Sequence, residues 1–197
     1  MSLSPPRVTL CYLPPVSWCA MAWNSAAVVI EAHEHYQKGS LRNRCYIAGP
    51  NGVQRLSIPL EKGKHQQMPI CEVRIAYDEP WQRRHWRSIK TAYGNAPYFE
   101  HYADDLAPFY EKRYDFLFDY NLELLRLILQ KKLGWPGEIR LSEQYRAPDA
   151  FEGETSRRYP QVFEEKHGFL PDLSVLDLLF CCGKRGGEYL TYLHDNQ

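Results

Sequence analysis

Two histidines stand two residues apart in EAHEHYQKGSLRNR, Glu31 to Arg44, with carboxylates beside them and a tyrosine, a lysine and two arginines following. A histidine near neutral pKa can take a proton from an amine or hydroxyl nucleophile. His33 and His35 are the candidates for that step, with Glu31 or Glu34 as an orienting carboxylate. Tyr12 and Asn43 are candidate donors to an oxyanion. The spacing also permits a metal reading, because residues 31, 33 and 35 of an extended segment share a face. A further ligand such as His85 or Asp78 would then have to arrive by folding, and the expectation is no metal site. A second kind of chemistry follows in the same stretch. Lys38, Arg42 and Arg44, joined by Arg55, can hold a phosphate, a sugar nucleotide or a carboxylate, and Tyr36 lies between the two sets. Cys11 and Cys45 are candidate thiol nucleophiles, Cys45 because neighbouring arginines favour a thiolate.

These residues need elements to position them. RVTLCYL (7–13) reads as a strand stopped by Pro14-Pro15, VSWCAMAWNS as a short helix and AAVVI (26–30) as a buried strand. Strand, helix and strand over so short a span predict a parallel pair. The histidine stretch starts where the second strand ends, the end at which open α/β sheets bind ligands. Leu41 to Ala48 and Val53 to Leu60 flank Gly49-Pro50-Asn51-Gly52 and predict a β-hairpin. Alternation places Arg42, Arg44 and Tyr46 on one face and Leu41, Asn43, Cys45 and Ile47 on the other. Ile70 to Tyr77 reads as a further strand.

Helices are expected over 80–93, 98–112 and 116–133. Trp81, His85 and Ile89 form the inner stripe of the first, with Arg83, Arg87 and Lys90 outside; Phe118, Leu122, Leu125, Leu129 and Leu133 form the stripe of the third. Residues 143–165 read as a long loop or flap, and the tail as two short helices broken at Gly183 to Gly187. The fold class is therefore α/β, one domain over 1–197, with a mixed sheet from the N-terminal half packed by C-terminal helices.

The totals exclude several classes. The 197 residues carry 24 Lys plus Arg against 24 Asp plus Glu, so there is no global basic field and no nucleic-acid partner is expected. No apolar run has the length of a membrane span. None of the six cysteines forms a C-x-x-C pair, and MSLSPPR lacks the apolar region of a signal peptide, which predicts free thiols in a cytoplasmic protein. No cofactor is implied. The expected partner is a small anionic or sugar-nucleotide ligand.

YLPPVS (12–17), NRCYIAGPNGVQRLSIPL (43–60), WQRRHWRSIKTAYGNAPYFEHY (81–102), FEEKHGFLPDLSVLDLLF (163–180) and the closing GGEYL together resemble the WbqC-like family of bacterial proteins. The likeness runs in order along nearly the whole chain, closest to the shorter members from Bacteroidetes. Its motif positions are Tyr12, Pro14, Asn43, Arg44, Asn51, Gly52, Pro59, Trp81, Trp86, Tyr93 and Tyr98. Other members often carry an Asp-rich segment where this chain has Glu31 to His35. The resemblance implies work in O-antigen or related surface-polysaccharide metabolism beside amino-sugar-modifying enzymes, and so a transferase acting on an activated sugar. The alternatives are a non-catalytic ligand-binding or accessory protein using the same basic groove, and a cysteine hydrolase.

Overall fold

Pro14 and Pro15 end the first extended segment and Pro15 caps the first helix, so the chain folds back at once. The computed structural model describes residues 4–61, 68–149 and 158–194. Residues 62–67, and residues 150–157 of the expected flap, lie outside them. Strand β1 (Arg7–Val8), helix α1 (Val16–Trp23) and strand β2 (Ala27–Ile30) form the expected unit, with β1 and β2 parallel. The first strand is shorter than its apolar run suggests. After Val8 the backbone leaves the ladder, Tyr12 N donates to Leu41 O at 2.9 Å, and Leu13 turns the chain at φ 46°.

A third parallel strand, β5 (Glu138–Leu141), lies on the other side of β2 and gives the order β1-β2-β5. Its sequence, EIRL, carries no apolar run, because an edge strand with largely exposed side chains needs none. The hairpin β3 (Arg44–Gly49) and β4 (Gly52–Ser57) is antiparallel and closes on Pro50-Asn51, with Gly49 opposite Gly52. Ile70 to Tyr77 is not a strand. Pro69 opens a 3-10 turn at Ile70–Glu72, and beyond it the backbone makes isolated bridges, Leu60 to Ile75 and Arg74 to Phe116. That segment is shared between neighbours on its two sides instead of running in one ladder.

The helices follow the apolar spacing. In α2 (Trp81–Tyr93), Trp81, His85 and Ile89 are buried while Arg83, Arg87 and Lys90 are exposed. Helix α3 (Phe99–Leu106) gives way to a 3-10 turn containing Pro108. Helix α4 (Leu117–Leu125) continues as a π-helix over Arg126–Lys132, and its stripe of five apolar residues is buried throughout. A one-turn helix α5 (Glu164–His167) interrupts the expected loop, and α6 (Val175–Cys182) and α7 (Gly186–His194) close the chain. Ser174 caps α6 by accepting from Leu176 N. Gly187 lets α7 approach α1 closely, since a Cβ there would lie 2.3 Å from the Trp23 ring. One apolar core runs from β1 to α7. No helix among the described residues is long and apolar enough to cross a membrane.

Candidate functional site

Because β1, β2 and β5 are parallel, their carboxyl ends converge on one edge of the sheet. Thr9 follows β1, Glu31 to Glu34 follow β2, and Ser142 to Asp149 follow β5. A cavity of about 960 Å³ opens there. Thr9 and Cys11 form one wall and His33 to Gln37 a second; Ser40 to Arg42 close it from the hairpin side, and Tyr145, Pro148 and Asp149 from the loop after β5. The volume lies within the roughly 300–1,000 Å³ of small-molecule sites.

Glu31 fixes the frame rather than the ligand. Its fully buried carboxylate accepts from Arg7 Nη1, Ser142 Oγ and His33 N at 2.8 Å each and from Arg146 N at 3.1 Å. Burial alone would raise its pKa, but the bonds from His33, Arg146, Ser142 and Arg7 together hold it below the ordinary carboxylate value. It does not line the cavity, and it ties the end of β2 to the loop after β5.

His33 and His35 are both exposed and both line the cavity. His33 Nε2 lies 3.1 Å from Ser142 O. A carbonyl only accepts, so Nε2 carries a proton there. The expected carboxylate partner is not at the ring, because Glu31 reaches the His33 backbone instead. His35 is held by its backbone, in a bridge to Pro69.

Glu34 and Arg42 form a buried pair in the cavity wall. Arg42 Nε donates to Glu34 Oε1 at 2.9 Å and Nη2 to Oε2 at 2.5 Å, with the side chains 5% and 4% exposed. Thr9 Oγ1 donates to Glu34 Oε2 at 3.2 Å, and Asn121 Nδ2 anchors the Arg42 carbonyl at 2.7 Å. Arg42 therefore does not share the outward face of Arg44 as alternation predicted. The chain turns through residues 41–43 and the strand starts at Arg44, so the alternating pattern stops there.

The other expected residues divide. Tyr36 lines the cavity and its hydroxyl donates to Asn43 Oδ1 at 2.9 Å. Asn43 points inward, as expected, and its Nδ2 donates to Ile58 O at 2.8 Å. Tyr12 is buried away from the cavity, its hydroxyl 3.0 Å from His85 Nδ1 and 3.3 Å from Tyr110 Oη. Lys38 is exposed, Arg55 is exposed on the hairpin, and Arg44 is partly buried there; none of the three lines the cavity. A single basic groove is thus not formed by these residues.

The thiols are poor nucleophiles. Burial pushes Cys11 up to about 12 despite its place in the cavity wall, and pushes Cys45, on the inner hairpin face, up as well. All six cysteines are free, with Cys71 exposed. Among the described residues no group of three or more His, Cys, Asp or Glu could hold a metal ion. Sequence reasoning missed Thr9, Ser142, Tyr145 and Asp149. Three of these four follow or depend on β5, which has no apolar signature.

An α/β chain with a cavity bearing polar side chains at the carboxyl edge of a short parallel sheet is the class that fold and site define. The model of the WbqC-like protein family matches residues 11–153. The chain is also 30% identical over 196 residues to the uncharacterized protein Rv1507c of Mycobacterium tuberculosis (strain ATCC 25618 / H37Rv), covering 80% of this chain and 84% of that one. The chain belongs to the WbqC-like family. No solved structure matches it significantly.

Proposed function

We propose that this chain is a cytoplasmic transferase acting on an activated sugar in surface-polysaccharide metabolism, with the cavity at the sheet edge as its reaction site. The observation that carries the reading is His33, whose Nε2–H is fixed on the Ser142 carbonyl at 3.1 Å on the cavity wall. This leaves Nδ1 able to take a proton from an acceptor amine or hydroxyl as that group attacks the donor and the bond to the donor's activating group breaks, that group leaving with its electron pair. Glu31 acts as a positioning residue through the His33 backbone and Ser142. The Glu34–Arg42 pair and Thr9 offer a preorganised polar wall to ring hydroxyls.

One observation favours a second reading, a binding protein without turnover. Among the described residues the His33 ring is bonded to a carbonyl and to no carboxylate of the kind expected to orient a catalytic base. Incubating the protein with nucleotide sugars and candidate acceptors, followed by mass spectrometry of the mixture, separates the two. The transferase reading expects a product that disappears in His33→Gln. Ligand binding without any product supports the binding protein.

A further inference from the structure

Arg44 opens β3 and Ser57 closes β4, and the register sets them directly opposite each other. Opposed residues of an antiparallel pair project from the same face with Cβ atoms roughly 5 Å apart. Arg44 Nε and Ser57 Oγ are both shielded from solvent, and neither has a hydrogen-bond partner. Native proteins leave few such groups unpaired, and a donor beside a hydroxyl on one rung is a built arrangement for an oxyanion.

The charge around them agrees. No carboxylate among the described residues forms an ion pair with Arg44 or with Arg55. Arg55 is exposed on the same face two rungs along, opposite Tyr46, which is 39% exposed. The face therefore carries two unneutralised guanidinium groups, a hydroxyl and an aromatic ring, with no acid on either strand. Arg44 is itself only partly buried.

We propose that this hairpin face is an anion site that seats a phosphate or diphosphate between the Arg44 guanidinium and the Ser57 hydroxyl, with Arg55 as the outer cation. It is separate from the cavity. The turn containing Gly39, at φ 85°, stands between them: a Cβ on Gly39 would lie 3.7 Å from Arg44 Nη1, while Gln37 and Ser40 of the same turn line the cavity. The inference does not depend on the proposed transfer.

Thermal unfolding with increasing pyrophosphate, at ionic strength held constant with chloride, tests it. The parent chain and Arg83→Gln, a change on the exposed outer face of α2, should show the same saturable rise in Tm. Arg44→Gln should shift half-saturation upward roughly tenfold or more, as loss of a charge-assisted contact does. Ser57→Ala should shift it by a smaller factor. Arg44→Lys, which keeps the charge without the planar fork, should fall between parent and Arg44→Gln, and it guards against a simple folding defect in the latter. Uridine diphosphate in a parallel series distinguishes the source of the phosphate: tighter binding than pyrophosphate assigns a nucleotide, equal binding a bare phosphate, and both support the site. The absence of a saturable rise in the parent chain means that the pair holds only water and overturns the proposal. So does an equal response in Arg44→Gln.

Discussion

Arg42 and Arg44 stand two residues apart and have opposite environments. Arg42 is turned inward and spends its fork on Glu34, while Arg44 lies on the hairpin face with an unpaired Nε and no carboxylate partner. Removing one partner of a buried pair leaves an uncompensated charge, whereas removing an unpaired arginine near the surface removes only a capacity to bind. Local sequence makes the two look equivalent. The difference teaches that the first arginine is part of the cavity wall, while the second is left available for the anion proposed above.

The sharpest way to break this comparison is to unpair Arg42. Glu34→Gln or Arg42→Met alone should destabilise the fold by about 3–5 kcal/mol, read from urea unfolding. The double variant Glu34→Gln/Arg42→Met should recover much of that loss. Two single losses that simply add would show the pair to be uncoupled and the account of the wall wrong.

Two buried titratable groups extend the contrast to protons. His85 is held at about 4, against an ordinary 6.5, chiefly by burial, although its bond to the Ser57 backbone opposes the shift. The unfolded chain then binds that proton more readily than the folded one. The stability His85 contributes is present above pH 6.5 and is lost as pH falls from 6.5 to about 4, on the order of 3 kcal/mol. Asp177 runs the other way. Burial raises it to about 6 from an ordinary 3.8, against the nearby Tyr159 and Tyr93 hydroxyls and the hydrogen bond from Gln161. The folded chain therefore gains stability as pH falls from about 6 to 3.8. Unfolding free energy measured from pH 4 to 7 should show the two partly cancelling. Asp177→Asn should leave a steeper acid loss, and His85→Gln a net gain towards acid. Identical profiles for both variants would contradict these assignments.

A smaller effect belongs to Asn43, which bridges Tyr36 and Ile58. Asn43→Ala should cost about 1–3 kcal/mol by leaving buried polar groups unsatisfied, visible as a lowered Tm without any ligand. The smallest belongs to Arg44. In the absence of ligand, Arg44→Ala should move stability by no more than about 0.5 kcal/mol, as partly exposed substitutions without partners do. A loss comparable to that of Arg42→Met would mean that Arg44 has a structural partner after all.

Much of this was legible in the residues. Gly49 to Gly52 announced the hairpin, the spacing of Trp81, His85 and Ile89 announced the inner face of α2, and the end of AAVVI placed His33 at a strand's carboxyl end. Asn43 could be assigned inward because its neighbours in NRCYIA alternate. Other features left no local trace. Arg42 followed the same alternation on paper, but the turn at 41–43 is set by a contact with Glu34 and by Asn121 from α4, both decided by folding. Strand β5 is polar because the edge of the sheet exposes it, so residues 143–165 read as a loop or flap but nothing local places that loop over the cavity. Ile70 to Tyr77 has the apolar content of a strand, and only the competing bridges to Leu60 and Phe116 show why no ladder forms.

The central proposal is that His33, bonded through Nε2 to the Ser142 carbonyl, offers Nδ1 to a ligand in the cavity. Two-bond nitrogen–proton correlation spectra of histidine-labelled protein at neutral pH report it directly, with His33→Gln identifying the signal. The account predicts an Nε2–H tautomer for His33 and a change in its Nδ1 resonance when a nucleotide sugar is added. An Nδ1–H tautomer, or a His33 signal that stays still while the ligand binds, would contradict it.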